Sequence, residues 1–154
     1  MNFPNPRIEV TIGTQTLGLW DGHRLVKQWP CSTSKFGIGF EEGSNRTPLG
    51  AFRVAVKFGE GMSQGAVFKA RVPVGEWNPD CMTNEDLIVS RILWLEGCEA
   101  RNANTKSRYI YIHGTNEEHK VGQVGSHGCV RLRNADVAEL FNLVDCGTAV
   151  WIAE

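Results

Sequence analysis

One thiol and three imidazoles lie close together in the second half of this 154-residue chain. Ser126-His127-Gly128-Cys129-Val130-Arg131 sets Cys129 one residue after a glycine and two after a histidine. His113 lies upstream in Tyr111-Ile112-His113-Gly114-Thr115. A cysteine thiol is a weak nucleophile until a base takes its proton or a cation stabilises the thiolate. Histidine is the usual base, and its ring needs a third group to hold it. Gly128 lacks a Cβ, so the backbone can turn sharply beside a reacting carbon. That leaves the amides of Gly128 and Cys129 as oxyanion-hole donors. The polar stretch 116–125 reads as a loop joining the two motifs.

Each residue also has a plainer reading. Cysteines are most often buried and structural. A zinc site is the rival from another class, since His113, His119, His127 and Cys129 supply two ligand types, although no second cysteine is near. A binding module without catalysis is a further rival, but binding alone needs no thiol. Arg131 follows Cys129 by two positions, so in extended backbone both share a face. Its guanidinium either binds a substrate carboxylate bidentately or pairs with an acid such as Asp136. Arg91 and Trp94 either form a substrate wall or pack into the core. Glu117, Glu118 and His119 read as a solvated turn, and His23 as exposed.

The elements that position these groups are mostly strands. Ile8, Val10 and Ile12 alternate with polar residues. Leu17 to Trp20 and Arg24 to Trp29 flank Asp21-Gly22 and predict a hairpin. Ser32 to Ser44 is serine- and glycine-rich and reads as an exposed loop. Ala51 to Phe58 alternates again. Gly59 to Trp77 holds four glycines and one proline, with Ala66 to Val72 as its only strand-like part; it reads as a lid, a substrate wall or a surface hairpin. Leu87 to Leu95, Arg108 to His113 and Thr148 to Ile152 complete the strands. Asn134 to Val144 is the one clear helix. Asn134 is its expected N-cap, Asp136 sits in its first turn, and Val137, Leu140, Phe141 and Val144 form its apolar face.

Length and composition suit one domain spanning 1–154, with 42% hydrophobic and 21% charged residues. A net charge of -1 offers no attraction for nucleic acid or an anionic membrane, so neither is expected as a partner. The N-terminus carries no visible signal peptide, and no apolar stretch approaches the roughly 20 residues of a spanning helix. Of five cysteines, none form a C-x-x-C pair. Unpaired thiols fit a reducing compartment, so a cytoplasmic location is expected, with a periplasmic one if a leader has been trimmed. Cys31, Cys81, Cys98 and Cys146 read as small apolar fillers.

Ser-His-Gly-Cys-Val-Arg preceded by Ile-His-Gly-Thr resembles the YkuD-type L,D-transpeptidase catalytic domain. Asn45-Arg46-Thr47-Pro48-Leu49-Gly50-Ala51-Phe52 resembles that family's upstream segment, so the likeness runs from about Ile8 to Ile152. It implies a mainly β, sandwich-like fold of mixed strands with one principal helix near the C-terminus. It also implies chemistry on peptidoglycan stem peptides through a cysteine acyl-enzyme, with no cofactor. Cys129 is then the nucleophile, His113 the base and the Gly114 carbonyl its orienter. His127 lines the site, places Cys129 or shares the base role. Ser126, Arg131, Arg91 and Trp94 are the substrate-binding candidates. Water as acceptor gives an L,D-carboxypeptidase trimming tetrapeptides in murein recycling, the expected activity; an amine gives transpeptidation.

Overall fold

Alternation builds the first part of the sheet. In β1 (Pro6–Thr11) Ile8 and Val10 are buried, and in β2 (Thr16–Asp21) Leu17 and Leu19 meet them. A tight turn at Gly22 returns the chain as β3 (Arg24–Pro30). β4 (Gly50–Phe58), β5 (Ala66–Lys69), β6 (Val72–Glu76), β7 (Ile88–Gly97), β8 (Tyr111–Thr115), β9 (Val130–Leu132) and β10 (Ala149–Ala153) follow, with α1 at Asn134–Leu143. The computed structural model describes residues 3–154.

The strands form one mixed sheet in the order β3-β2-β1-β10-β4-β7-β5-β6, with β8 and β9 branching from β7. β1 runs parallel to β10 and β8 parallel to β9. Ile8, Val10, Phe52, Val54, Val150 and Ile152 share one core with Ile112, Val130 and Leu132, so the two limbs of the sheet enclose it. A smaller cluster of Ala66, Phe68, Ile92 and Tyr111 lies apart from it, and Cys129 packs against that cluster. The architecture is the mainly β, one-helix arrangement expected from the sequence.

Helix α1 buries Val137, Leu140 and Phe141 and packs on β7 and β8. Its N-cap is Arg133, one residue before the expected Asn134. Asn134 instead ties the helix to β8: its Oδ1 accepts from Thr115 N at 2.8 Å and its Nδ2 donates to Thr115 O at 3.0 Å. Glu118 accepts the Asn134 N–H at 2.9 Å, placing an anion at the helix N-terminus. At the other end Lys57 Nζ donates to Phe141 O and Val144 O, both at 2.7 Å, satisfying carbonyls the helix leaves open.

Four local expectations need correction. Stretch 59–77 carries two strands, β5 and β6, turned through Ala70 and Arg71, both in the left-handed region. β8 starts at Tyr111 and not at Arg108, because Tyr109 adopts φ 57 and interrupts the extended backbone. Ser32, Thr33 and Ser34 are buried, not part of an exposed loop, since their backbone pairs with Arg131 and Ser126. Among the extra cysteines only Cys31 is buried; Cys81, Cys98 and Cys146 are exposed free thiols.

Candidate active site

The parallel register of β8 and β9 brings the two motifs together. Ile112 pairs with Val130 and His113 with Arg131. Tyr111 and His113 therefore share a sheet face with Cys129 and Arg131, while Ile112 and Val130 point into the main core. Three residues of β9 suffice for this: His113 lies one strand spacing from Arg131, and Cys129 lies level with Tyr111.

The turn before β9 is tied at several points. The Ser126 hydroxyl donates to Cys129 O at 2.6 Å and accepts the Gly128 N–H at 3.3 Å. Thr47, from the upstream Thr-Pro segment, donates to Gly128 O at 3.0 Å and accepts the Ser34 N–H at 3.0 Å. Gly128 has φ 122, where a side chain would be strained, and a Cβ there would press on Arg46 O and Ile110 at 3.3 Å. Of the two amides expected in the oxyanion hole, that of Gly128 is engaged by Ser126. That of Cys129 is not committed to a side chain among the described residues.

The Cys129 sulfur sits between two backbone groups. It accepts the Tyr111 N–H at 3.3 Å and donates its own proton to Tyr109 O at 3.4 Å. The left-handed turn at Tyr109 is part of the approach to this position. Burial pushes the thiol up to about 12, and the Tyr111 amide only partly opposes it. A cleft of about 240 Å³, with Asn45, Arg108, Tyr109 and His127 in its lining, opens next to the residues that flank the thiol.

His113 is buried, and its Nδ1 lies 2.5 Å from Gly114 O. A carbonyl can only accept, so Nδ1 carries the proton and Nε2 holds the free lone pair. Gly114 has no room for a side chain: a Cβ would collide with Asn134 Oδ1 and Val89 O. Burial lowers the His113 pKa, against the pull of the Gly114 carbonyl and Asp86. The resting pair is thus a neutral thiol and a neutral imidazole. A base must be unprotonated to act, so the acid limb of kcat/KM should fall below 6.5, the ordinary histidine value. A pH–rate profile checks this, and an inflection at or above that value would point to another base.

Several expected substrate contacts are corrected. Arg131 lies on the face expected of it but is fully buried. Its Nη1 donates to Asp86 Oδ1 at 3.0 Å and Glu117 Oε1 at 2.8 Å, and its Nη2 to Ser32 Oγ at 3.2 Å. The ionic partners are Asp86 and Glu117, not Asp136, and no surface remains for a substrate carboxylate. Ser126 is likewise fully buried, with its hydroxyl engaged in the turn. Arg91 donates to Met62 O at 2.8 Å and Ser63 O at 3.3 Å, holding the loop after β4 rather than facing the thiol. Glu117 and Glu118, expected in a solvated turn, hold Arg131 and the helix end.

Trp94 and His127 stay at the rim. Trp94 is half-buried and packs on the same cluster as Cys129, with Tyr109 stacked at 5.8 Å and Tyr111 edge-on at 5.7 Å between ring centres. His127 is exposed, with Nδ1 3.2 Å from Asp86 Oδ2 and its ring 5.9 Å from Phe36. Its role is thereby linked to Asp86 rather than to the sulfur. His113, His119, His127 and Cys129 do not form a ligand cluster among the described residues. Sequence reading missed Tyr109, Tyr111, Asp86, Thr47 and Asn134. Thr47 and Tyr111 carried a signal as members of the quoted motifs, and Asn134 as the expected N-cap; Tyr109 and Asp86 act through contacts distant in sequence.

A family model described as the L,D-transpeptidase catalytic domain, YkuD, matches residues 5–152. The YkuD protein of Bacillus licheniformis is 28% identical over 146 residues, covering 95% of this chain and 64% of its own length. The YkuD protein of Bacillus subtilis is 28% identical over 145 residues, covering 94% and 64%. The chain therefore spans under two thirds of these relatives. Among solved structures, an L,D-transpeptidase from Xylanimonas cellulosilytica superposes with a TM-score of 0.64 at 18% identity, over 98% of this chain and 61% of the other. One from Mycobacterium smegmatis gives 0.63 at 14% identity, over 96% and 58%. At these identities the likeness to solved structures is one of fold.

Proposed function

The chain belongs to the L,D-transpeptidase catalytic domain family, and we propose that it acts on peptidoglycan stem tetrapeptides as a cysteine-dependent L,D-carboxypeptidase. The observation that carries the chemistry is that His113, with Nε2 left basic by the Gly114 carbonyl, lies in β8 on the sheet face of Cys129, which immediately precedes the adjacent parallel strand β9. His113 takes the thiol proton as sulfur attacks the carbonyl between the diamino acid and D-Ala. The backbone amide of Cys129 faces the developing oxyanion. The carbon–nitrogen bond then breaks, and the proton held by His113 leaves on the D-Ala amine. Water attacks the resulting thioester, the carbon–sulfur bond breaks, and His113 returns the water's proton to sulfur.

Because the resting thiol is protonated, proton transfer belongs to the reaction and not to the ground state. A thiol engaged by Tyr109 O loses that contact on ionisation, which raises the cost of idle thiolate. Substrate binding in the cleft is what makes attack favourable.

The choice of water as acceptor rests on the exposed thiols. Cys81, Cys98 and Cys146 are free and exposed, which suits a reducing cytoplasm where muropeptides are soluble. The rival is transpeptidation, the activity named in the description of the matching family. Incubation with murein tetrapeptide, with and without a D-amino acid, separates them by mass spectrometry. We expect tripeptide and free D-Ala in both reactions. Exchange of D-Ala for the added amino acid, with little net hydrolysis, would establish the rival.

A further inference from the structure

Burial of Arg131 leaves the carboxylates of a stem peptide without the reader expected from the sequence. The hairpin of β5 and β6 supplies a different cation. β6 is exposed along its length and forms the outer edge of the sheet. At the hairpin tip Ala70 has φ 47 and Arg71 φ 64, so two residues with side chains occupy a turn that ordinarily takes asparagine and glycine. The half-buried Arg71 side chain packs against the aromatic cluster beside the thiol.

Its contacts are specific. Arg71 Nη1 donates to Tyr111 Oη at 3.1 Å. The guanidinium carbon lies 4.7 Å from the centre of the Trp94 ring and 5.2 Å from that of Tyr109. Tyr111 and Tyr109 are the two residues whose backbone brackets the Cys129 sulfur. Lys106 Nζ lies 5.2 Å from the Trp94 ring. Neither Arg71 nor Lys106 forms an ion pair among the described residues. Stacking on aromatic faces orients a guanidinium without neutralising it. Its other N–H groups have no acceptor among the described residues and keep the planar fork open for an anion. Arg108, also near the thiol, is committed to backbone carbonyls and donates to Arg46 O at 2.7 Å.

We infer that Arg71, held on Trp94, Tyr109 and Tyr111, is the specificity-determining residue that reads a free carboxylate of the peptide bound at Cys129. This rests on the proposed stem-peptide chemistry for its ligand and for the second measurement below, but not for the first. A carboxylate engaged by Arg71 sits beside the aromatic cluster, and the same cluster fixes the thiol, so recognition and attack share one support. Lys106 adds positive potential from the same rim without planar geometry.

The first measurement uses two small alkylating probes, anionic iodoacetate and neutral iodoacetamide, with the Cys129 peptide followed by mass spectrometry. In Arg71→Gln the ratio of the two rates should fall about two- to fivefold, as expected for loss of a partly exposed charge interaction. Arg71→Lys should keep most of the ratio. The second measurement compares kcat/KM for a stem tetrapeptide with that for analogues carrying a carboxamide at one or the other free carboxyl. Arg71→Gln should lose about 10- to 100-fold on the free acid, mainly through KM, and little on the analogue whose carboxylate it no longer reads. Arg71→Lys should recover part of that loss. A hairpin pinned only for structure would lower all substrates together and leave the probe ratio unmoved; either result overturns the inference. If wild type turns over none of the peptides while the probe ratio still falls, Arg71 stands as an anion reader and the proposed substrate is wrong.

Discussion

Cys129→Ala should leave a folded protein with no turnover of stem peptide. The thiol is the only group placed to form the thioester, and its removal deletes a covalent step rather than weakening one. Alanine at 31, 81, 98 or 146 should preserve activity wherever the fold is kept; Cys81, Cys98 and Cys146 are exposed and Cys31 lies in the main core, whereas Cys129 packs on the smaller cluster. His113→Ala should follow with a loss of about 10²–10⁴-fold in kcat, the usual range for a missing general base. Its effect should fall on kcat more than on KM, because the proton moves in the transition state. Single-turnover assays with circular dichroism as a fold check test both. Full activity in folded Cys129→Ala would end the thioester mechanism, and a His113→Ala effect confined to KM would reduce His113 to shaping the pocket.

The second large effect concerns stability. Arg131→Met should destabilise the fold by about 3 kcal/mol, the lower end for breaking a buried ion pair. The lower end applies because the side chains of Asp86 and Glu117 stay 23% and 25% exposed and can be partly rehydrated. Methionine fills much of the volume but removes the cation that Asp86 and Glu117 share. For Glu117, burial pushes the carboxyl up, yet hydrogen bonds from Lys120 and Arg131 outweigh it and hold its pKa below the usual value of 4.5. A depressed carboxylate adds stability above its unfolded pKa and loses it as pH falls through the folded value. Wild type should therefore weaken below about pH 4.5, and Arg131→Met should show less of that acid dependence. Urea unfolding across pH 3–7 reads both. Unchanged stability, with loss of peptide binding instead, would restore Arg131 to the substrate-reading role.

The position of Glu117 also links stability to the site. Arg131 neighbours His113 in the strand register, and its positive charge helps lower the pKa of both His113 and Cys129. Asp86 opposes it at each group. The buried ion pair thus sets two opposing fields behind the candidate reacting groups, while the orientation of the imidazole comes from the Gly114 carbonyl.

Local residue patterns determined much of this protein. Alternation at Ile8 and Val10 and at Phe52 and Val54 marked strands whose apolar faces are buried. The spacing of Val137, Leu140 and Phe141 marked the helix face. The two histidine-containing motifs identified the residues that β8 and β9 bring together. Only the tertiary structure decided what covers each face. Alternation puts Arg131 on the side of Cys129, but Asp86 and Glu117, distant in sequence, bury it there. Ser32 to Ser34 look like a polar loop because backbone pairing to Ser126 and Arg131 carries no side-chain signature. Arg71 looks like an unremarkable hairpin residue until the fold sets Trp94, Tyr109 and Tyr111 beneath it. A side chain's periodicity follows from the bonds of its own backbone, whereas its burial, partners and charge environment follow from segments that meet only when the chain is folded.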